Sequence, residues 1–229
     1  MNIKNKSQFI KYFTDGIKKT DQLKIGVEHE RFLFEGTNRK RISYQKLKKL
    51  FENLENNGWQ PLYEKENIIG MQRDNQQITT EPGLQCELSG APLKNIHEVC
   101  SESSNFLKEI EIASKGLDIS TVSIGFDPFN KLIDIPSSPK TRYKIMTKEM
   151  PKGGKQSLEM MYRTCGIQIN YDYTSENNFE KIFRLGNYLT PLTIALYSNS
   201  PFESGIPTGY YSYRNKVWQN TDRGGIMPI

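Results

Sequence analysis

Residues 24–34 read KIGVEHERFLF. The segment is expected to be a strand, with charged residues alternating at one end. Successive side chains of an extended chain point to opposite faces, so Glu28 and Glu30 share one face, about 6.6–6.8 Å apart. Val27, His29 and Arg31 point to the other. Two carboxylates on one sheet face repel unless a cation lies between them, and Mg²⁺ is the economical answer because it takes carboxylate oxygens together with substrate phosphates. A solvent-facing strand edge with ordinary charges explains the pair as well. Taken alone the motif favours that plainer reading, since two glutamates two residues apart recur by chance.

Outward from this strand, helical and extended patterns alternate without a regular βαβ rhythm, which argues for an α+β fold in a single domain. Residues 7–19 carry Phe9, Ile10, Phe13 and Ile17 at helix spacing. A second helix is expected over 43–57, with Tyr44, Leu47, Leu50, Phe51 and Leu54 inward and Asn57-Gly58 as its stop. Residues 67–81 read as a hairpin or two short strands, and 83–88 as another strand. A long helix follows Pro92 and runs to about residue 115, with Ile96, Val99, Cys100, Leu107 and Ile110 on its buried side. A strand at 120–126, a helix at 139–150 and a cleanly alternating strand at 164–173 come next. Residues 176–196 are expected to be helical with a kink at Pro191. Residues 225–229 read as the opening of a further strand, so the architecture is expected to be incomplete at the C-terminus.

Composition narrows the class. The chain has 229 residues, 36% apolar and 25% charged, and 11% are aromatic, which excludes a disordered chain. The longest apolar runs, such as PLTIALY at 191–197, fall far short of the roughly 18–20 residues of a membrane span. The N-terminus has no uninterrupted apolar stretch, so a cytoplasmic address is expected. Lys and Arg exceed Asp and Glu by 31 to 26, a net +5. The one dense patch (Arg39, Lys40, Arg41, Lys46, Lys48, Lys49) reads as a solvated helix face, not as a nucleic-acid footprint. Cys86, Cys100 and Cys165 are odd in number and widely spaced, which fits reduced, mostly buried thiols and neither a disulfide framework nor a zinc site.

Three further segments carry polar chemistry. In ITTEPGLQCELSGAPL (78–93), Glu81, Gly83, Gln85 and Glu87 share a parity. On a straight strand Glu81 and Glu87 stand about 20 Å apart, too far to share an ion. Either Pro82-Gly83 bends the chain or only one of them is a ligand, and Glu87, in the more regular stretch, is the better candidate. In MMYRTCGIQINYDY (160–173), Gln168, Asn170 and Asp172 line the face opposite Ile167, Ile169 and Tyr171. A bound polar ligand satisfies such a row, and so does water on a one-sided strand. In YSNSPFESGIPTGYYSYRNKVW (197–218), Arg214 follows a Pro/Gly-rich loop and has the fork geometry for a carboxylate or phosphate. PKGGKQS (151–157) lacks the spacing of a phosphate loop, though Lys152 can approach a nucleotide.

IGVEHERFLF, ITTEPGLQCELSGAPL, TRYKIMTKEMPKGG, LEMMYRTCGIQINYDY and SNSPFESGIPTGYYSYRNKVW lie in order from about residue 25 to the end. Together they resemble glutamate–cysteine ligases of the plant and proteobacterial type, within the glutamine-synthetase-like carboxylate–amine ligases. The resemblance implies a curved antiparallel sheet, a half-barrel flanked by helices, with 1–229 forming the N-terminal part of a longer catalytic domain. It implies that Glu28, Glu30 and Glu87 bind magnesium with Glu81 assisting, and that Gln168 and Asn170 line the nucleotide and substrate pocket, with Lys152 near it. Arg214, and less directly Arg163, match positions that hold substrate carboxylate or phosphate groups. The implied reaction is ATP- and Mg²⁺-dependent ligation of the glutamate γ-carboxylate to the cysteine amino group through an acyl phosphate, the first step of glutathione synthesis. The partners are then small molecules, with neither nucleic acid nor membrane. A sister ligase using another amine and a noncatalytic basic nucleic-acid-binding module are the alternative readings.

Overall fold

A computed structural model describes residues 3–222 of the chain; the strand expected at 225–229 lies outside the described residues. Helix α1 (Lys6–Thr14) precedes the long strand β1 (Ile25–Glu35), the short β2 (Lys40–Arg41) and helix α2 (Tyr44–Leu54). Strands β3 (Gln60–Glu64), β4 (Asn67–Arg73), β5 (Gln76–Thr80) and β6 (Cys86–Ser89) follow, then helix α3 (Ile96–Ala113) and strand β7 (Ile119–Val122). Helices α4 (Thr141–Glu149) and α5 (Ser157–Arg163) lead to strand β8 (Ile167–Tyr171) and helix α6 (Glu176–Tyr197). A small ribbon, β9 (Phe202–Glu203) with β10 (Ile206–Pro207), and helix α7 (Tyr213–Gln219) complete the described chain.

Eight strands form one curved antiparallel sheet that does not close into a barrel, flanked by helices, as expected for the α+β class. The eleven residues of β1 make it the spine. It pairs with β8 over 25–29, with β6 over 28–31, with β7 over 32–35 and with β2 at its end. From β6 the sheet continues through β5 and β4 to β3. Because side chains alternate, Leu33 joins the core under α2 and α3, while Phe32 and Phe34 pack on the opposite face with Cys165, Val122 and Ile124.

The main core follows from two helix stripes. Ser43 caps α2, its hydroxyl accepting from the Lys46 N–H, and Leu47, Leu50, Phe51 and Leu54 then fall on one buried face. Gly58, at φ +83°, supplies the left-handed residue that ends this segment. In α3 the buried stripe is Val99, Glu102, Phe106, Ile110 and Ala113, one step around from the expected one; Ile96 and Cys100 are exposed. The shift has a polar cause. Glu102 turns inward to accept from the Ala91 N–H (2.8 Å) and from Gln76 Nε2 (2.6 Å), tying α3 to the end of β6.

Several apolar faces are exposed, and the expected solvation of the basic patch is corrected. The apolar residues of α1 are exposed, Phe9 by 51% and Ile10 by 50%. Ile167, Ile169 and Tyr171 of β8 are likewise exposed, and α6 has no buried residue. The basic patch is not uniformly solvated either. Arg41 is fully buried against Asp127, Lys46 pairs with Glu35 (3.6 Å), Lys48 with Glu52 (3.8 Å), and Arg39 lies over the Phe129 ring. Among the described residues no helix is long and apolar enough to cross a membrane.

Candidate active site

The pairing of β1, β6 and β8 decides what meets on the face opposite α2 and α3. Glu30 is directly across from Glu87, and Glu28 lies between Ser89 on one side and Gln168 on the other. Cross-strand partners share a face, so Glu28, Glu30, Glu87, Ser89, Gln168 and Asn170 form one polar floor. His29 and Arg31 point to the opposite face, where His29 feels the charge of Glu102.

Glu81 reaches this floor by a corner that a straight-strand extrapolation does not contain. The chain leaves β5 at Thr80 and turns through Pro82-Gly83-Leu84. The Leu84 N–H donates to the Glu81 carbonyl (2.9 Å), the Glu81 N–H donates to the Gln85 carbonyl (2.9 Å), and Leu84 sits at φ +60°. The Gln85 side chain braces the turn, accepting from the Gly83 N–H (2.8 Å) and donating to the carbonyls of Met161 (3.1 Å) and Thr164 (3.0 Å). One carboxylate oxygen from each of Glu30, Glu81 and Glu87 consequently lies within 4.8 Å of the other two. The bend at Pro82-Gly83, one of the two arrangements open to the sequence, is the one the structure adopts. Glu28 is outside this trio but close enough to act on the charges of Glu81 and Glu87, and its Oε1 accepts from Asn170 Nδ2 (2.8 Å).

Such a cluster is electrostatically unfavourable when empty. Burial, and then the charges of Glu81 and Glu87, push the Glu30 carboxyl up to about 8, although the Gly166 N–H (2.5 Å) and Arg214 oppose them. Glu81 and Glu87 are also raised, in each case first by burial. Like charges directly opposite each other in a sheet destabilise it. A hard divalent cation relieves this, and three carboxylates with hydroxyl and amide neighbours are oxygen donors of the kind Mg²⁺ takes. The donor set fits the cation.

Arg214 comes to the same place from α7. Its backbone N–H donates to Ser200 Oγ (3.1 Å) and its Nε to the Cys165 carbonyl (2.9 Å). Gly166 makes the approach possible, because a Cβ there would stand 2.9 Å from Arg214 Nη2. The Nη groups have no hydrogen-bond acceptor among the described residues, which leaves the fork for an anionic ligand. Glu30, Glu81, Gln168 and Arg214 open into a cavity of about 380 Å³. Its walls are Pro82, Met146, Met150, Met160, Met161 and Trp218, with Gln85 and Thr164.

Two residues singled out from the sequence lie elsewhere. Arg163 is buried in ion pairs with Glu159 (2.8 Å) and Glu203 (3.1 Å), over the Phe126 ring. Lys152 is exposed and paired with Glu149. Neither lines the cavity. The sequence reading also passed over the methionine wall, which α4 with its C-cap and α5 supply, and Tyr143, whose hydroxyl donates to Glu81 Oε1 (2.9 Å).

An acidic floor on a curved antiparallel sheet, with an arginine fork above it and an apolar wall beside it, offers oxygen donors of the kind a hard cation takes next to a cationic group of the kind anionic ligands take. Comparison with known proteins carries this further. The profile of glutamate-cysteine ligase family 2 matches residues 24–229. The chloroplastic glutamate–cysteine ligase A of Oryza sativa subsp. japonica is 40% identical over 227 residues, 98% of this chain and 46% of the relative. The chloroplastic enzyme of Medicago truncatula is 41% identical over 98% of the chain and 45% of its own length, and that of Arabidopsis thaliana 39% over 98% and 44%. The chain belongs to the glutamate–cysteine ligase family, and it spans about half the length of the curated relatives it matches. The cytoplasmic address expected from the N-terminus is overturned by these relatives, all named as chloroplastic.

Proposed function

We propose that this chain supplies the acidic half of a ligase site that joins the γ-carboxylate of glutamate to the amino group of cysteine, with ATP and Mg²⁺. The observation that carries the proposal is the convergence of Glu30, Glu81 and Glu87 within 4.8 Å below a cavity that also holds Arg214, in a member of this family.

A free carboxylate does not acylate an amine. Its oxygen first attacks the γ-phosphorus of ATP, and ADP leaves; the amine then attacks the acyl carbon, inorganic phosphate leaves, and the ammonium proton is lost. Phosphoryl transfer of this kind asks the protein for position and charge stabilisation more than for covalent chemistry. Glu30, Glu81 and Glu87, with Glu28 beside them, would hold Mg²⁺, whose charge would neutralise phosphate oxygens when bound. Arg214 offers its free fork to a phosphate or to a substrate carboxylate, and its burial strengthens that contact. Gln168 and Asn170 supply amide donors and acceptors along the floor, Asn170 already holding Glu28. The methionines and Trp218 keep water from one side of the cavity, which protects an acyl phosphate from hydrolysis.

The test is ADP release by the full-length protein with glutamate, ATP and Mg²⁺ and a panel of amines. Cysteine is expected to accelerate release by at least about tenfold over the other amines, the discrimination that about 1.4 kcal/mol gives. Equal rates across the panel, or faster release with another amine, overturn cysteine as the acceptor, and no release that depends on any amine overturns the ligase reading.

A further inference from the structure

Besides the braces of Gln85 and Arg41, residues 138–143 hold the corner that delivers Glu81. The Ser138 N–H donates to the Pro82 carbonyl (2.8 Å), and the Ser138 and Thr80 hydroxyls meet at 2.9 Å. Lys140 Nζ donates to the Thr80 carbonyl (2.8 Å), and the Tyr143 hydroxyl lies 3.1 Å from the same oxygen. Tyr143 alone also reaches the carboxylate, at 2.9 Å from Glu81 Oε1. Its ring is 1% exposed, with Lys140 and Arg142 over it, so the hydroxyl has little freedom to turn elsewhere.

We infer that Tyr143 is a positioning residue for the cation site: its hydroxyl fixes the Glu81 carboxylate in the orientation that completes the trio with Glu30 and Glu87. The inference rests on the cation reading of that site. Glu81 approaches from a turn, whereas Glu30 and Glu87 stand on paired strands, so Glu81 is the member whose orientation the sheet does not set. Outer partners of metal ligands act in this way, holding a ligand's direction and tuning its basicity.

The experiment uses the full-length protein and Mn²⁺ as a paramagnetic probe, read by electron paramagnetic resonance as free against bound ion. Tyr143→Phe keeps the buried ring and removes only the hydroxyl. It is expected to weaken Mn²⁺ binding by about 10–100-fold. In a Glu81→Gln background the same change is expected to weaken it by less than about twofold, because the two side chains act through one contact. A role confined to packing gives the opposite signature: unchanged Mn²⁺ affinity with a thermal midpoint lowered equally in both backgrounds. If the parent binds Mn²⁺, Glu30→Gln and Glu87→Gln weaken it, and Tyr143→Phe matches the parent, the role of Tyr143 is overturned and the cation site stands. If the parent does not bind Mn²⁺, the cation reading falls and the inference with it.

Discussion

Glu30→Gln and Glu87→Gln are each expected to lower the turnover of the full-length enzyme by about 10²–10³-fold, the loss that follows removal of one preorganised electrostatic group. Neither change should unfold the protein. Glutamine has the shape of glutamate, and Glu30 and Glu87 face each other across β1 and β6, where two like charges oppose folding. Removing one charge from a cluster in which burial and neighbouring carboxylates push Glu30 up to about 8 relieves the sheet. The metal-free variants are therefore expected to melt at or above the parent temperature at pH 8–9, while turnover collapses. Steady-state kinetics paired with thermal melts check this. Turnover within a few-fold of the parent in both variants contradicts the assignment, and a matching loss of stability assigns the residues to the fold instead.

The largest expected effect on stability lies behind the site, at Arg41. This residue is completely buried, pairs with Asp127 (3.2 Å), donates to the Tyr162 (3.2 Å) and Gly83 carbonyls, and lies over the Phe32 ring. Its contacts join β2, the corner that carries Glu81, the 127–130 turn and α5. Arg41→Met fills similar space but strands the Asp127 carboxylate, which then keeps only the Phe129 and Asn130 donors. Leaving one buried partner uncompensated costs about 3–5 kcal/mol, and urea denaturation is expected to show a loss of that order. Adding Asp127→Asn should recover part of it, because the second change removes the stranded charge. A loss below about 1 kcal/mol contradicts a buried pair, since that is the range of exposed ones.

Arg41 also shows what a sequence conceals. Within a run of basic residues at a turn it has no pattern to separate it from Lys40, and only the tertiary partner Asp127, 86 residues away, marks it as internal. The faces of β1 were legible because alternation is a local property: Glu28 and Glu30 do share a face, and His29 does point away from them. The approach of Glu81 to Glu87 was not legible, because the corner depends on Leu84 adopting a left-handed backbone and on Gln85 finding carbonyls near residue 160. Periodicity alone placed the stripe of α3 one step off, since it cannot tell that Glu102 is buried by its hydrogen bonds while Ile96 faces water. The five ordered segments that resemble glutamate–cysteine ligases carried more of the site than any spacing rule. Two residues carried over with them, Arg163 and Lys152, are engaged elsewhere, because a resemblance in sequence does not report which ion pair a side chain joins.

The convergence of carboxylates on one cation is tested most directly by titration calorimetry with Mg²⁺ at pH 7 in two buffers of different ionisation enthalpy. Without the cation, Glu30, with its carboxyl pushed up to about 8, is protonated at this pH. A cation takes the carboxylate and expels that proton, so binding should release about one proton and should weaken as the pH falls below about 8. Glu30→Gln should abolish the release. Mg²⁺ binding with no proton exchange, or no binding at all, contradicts the account.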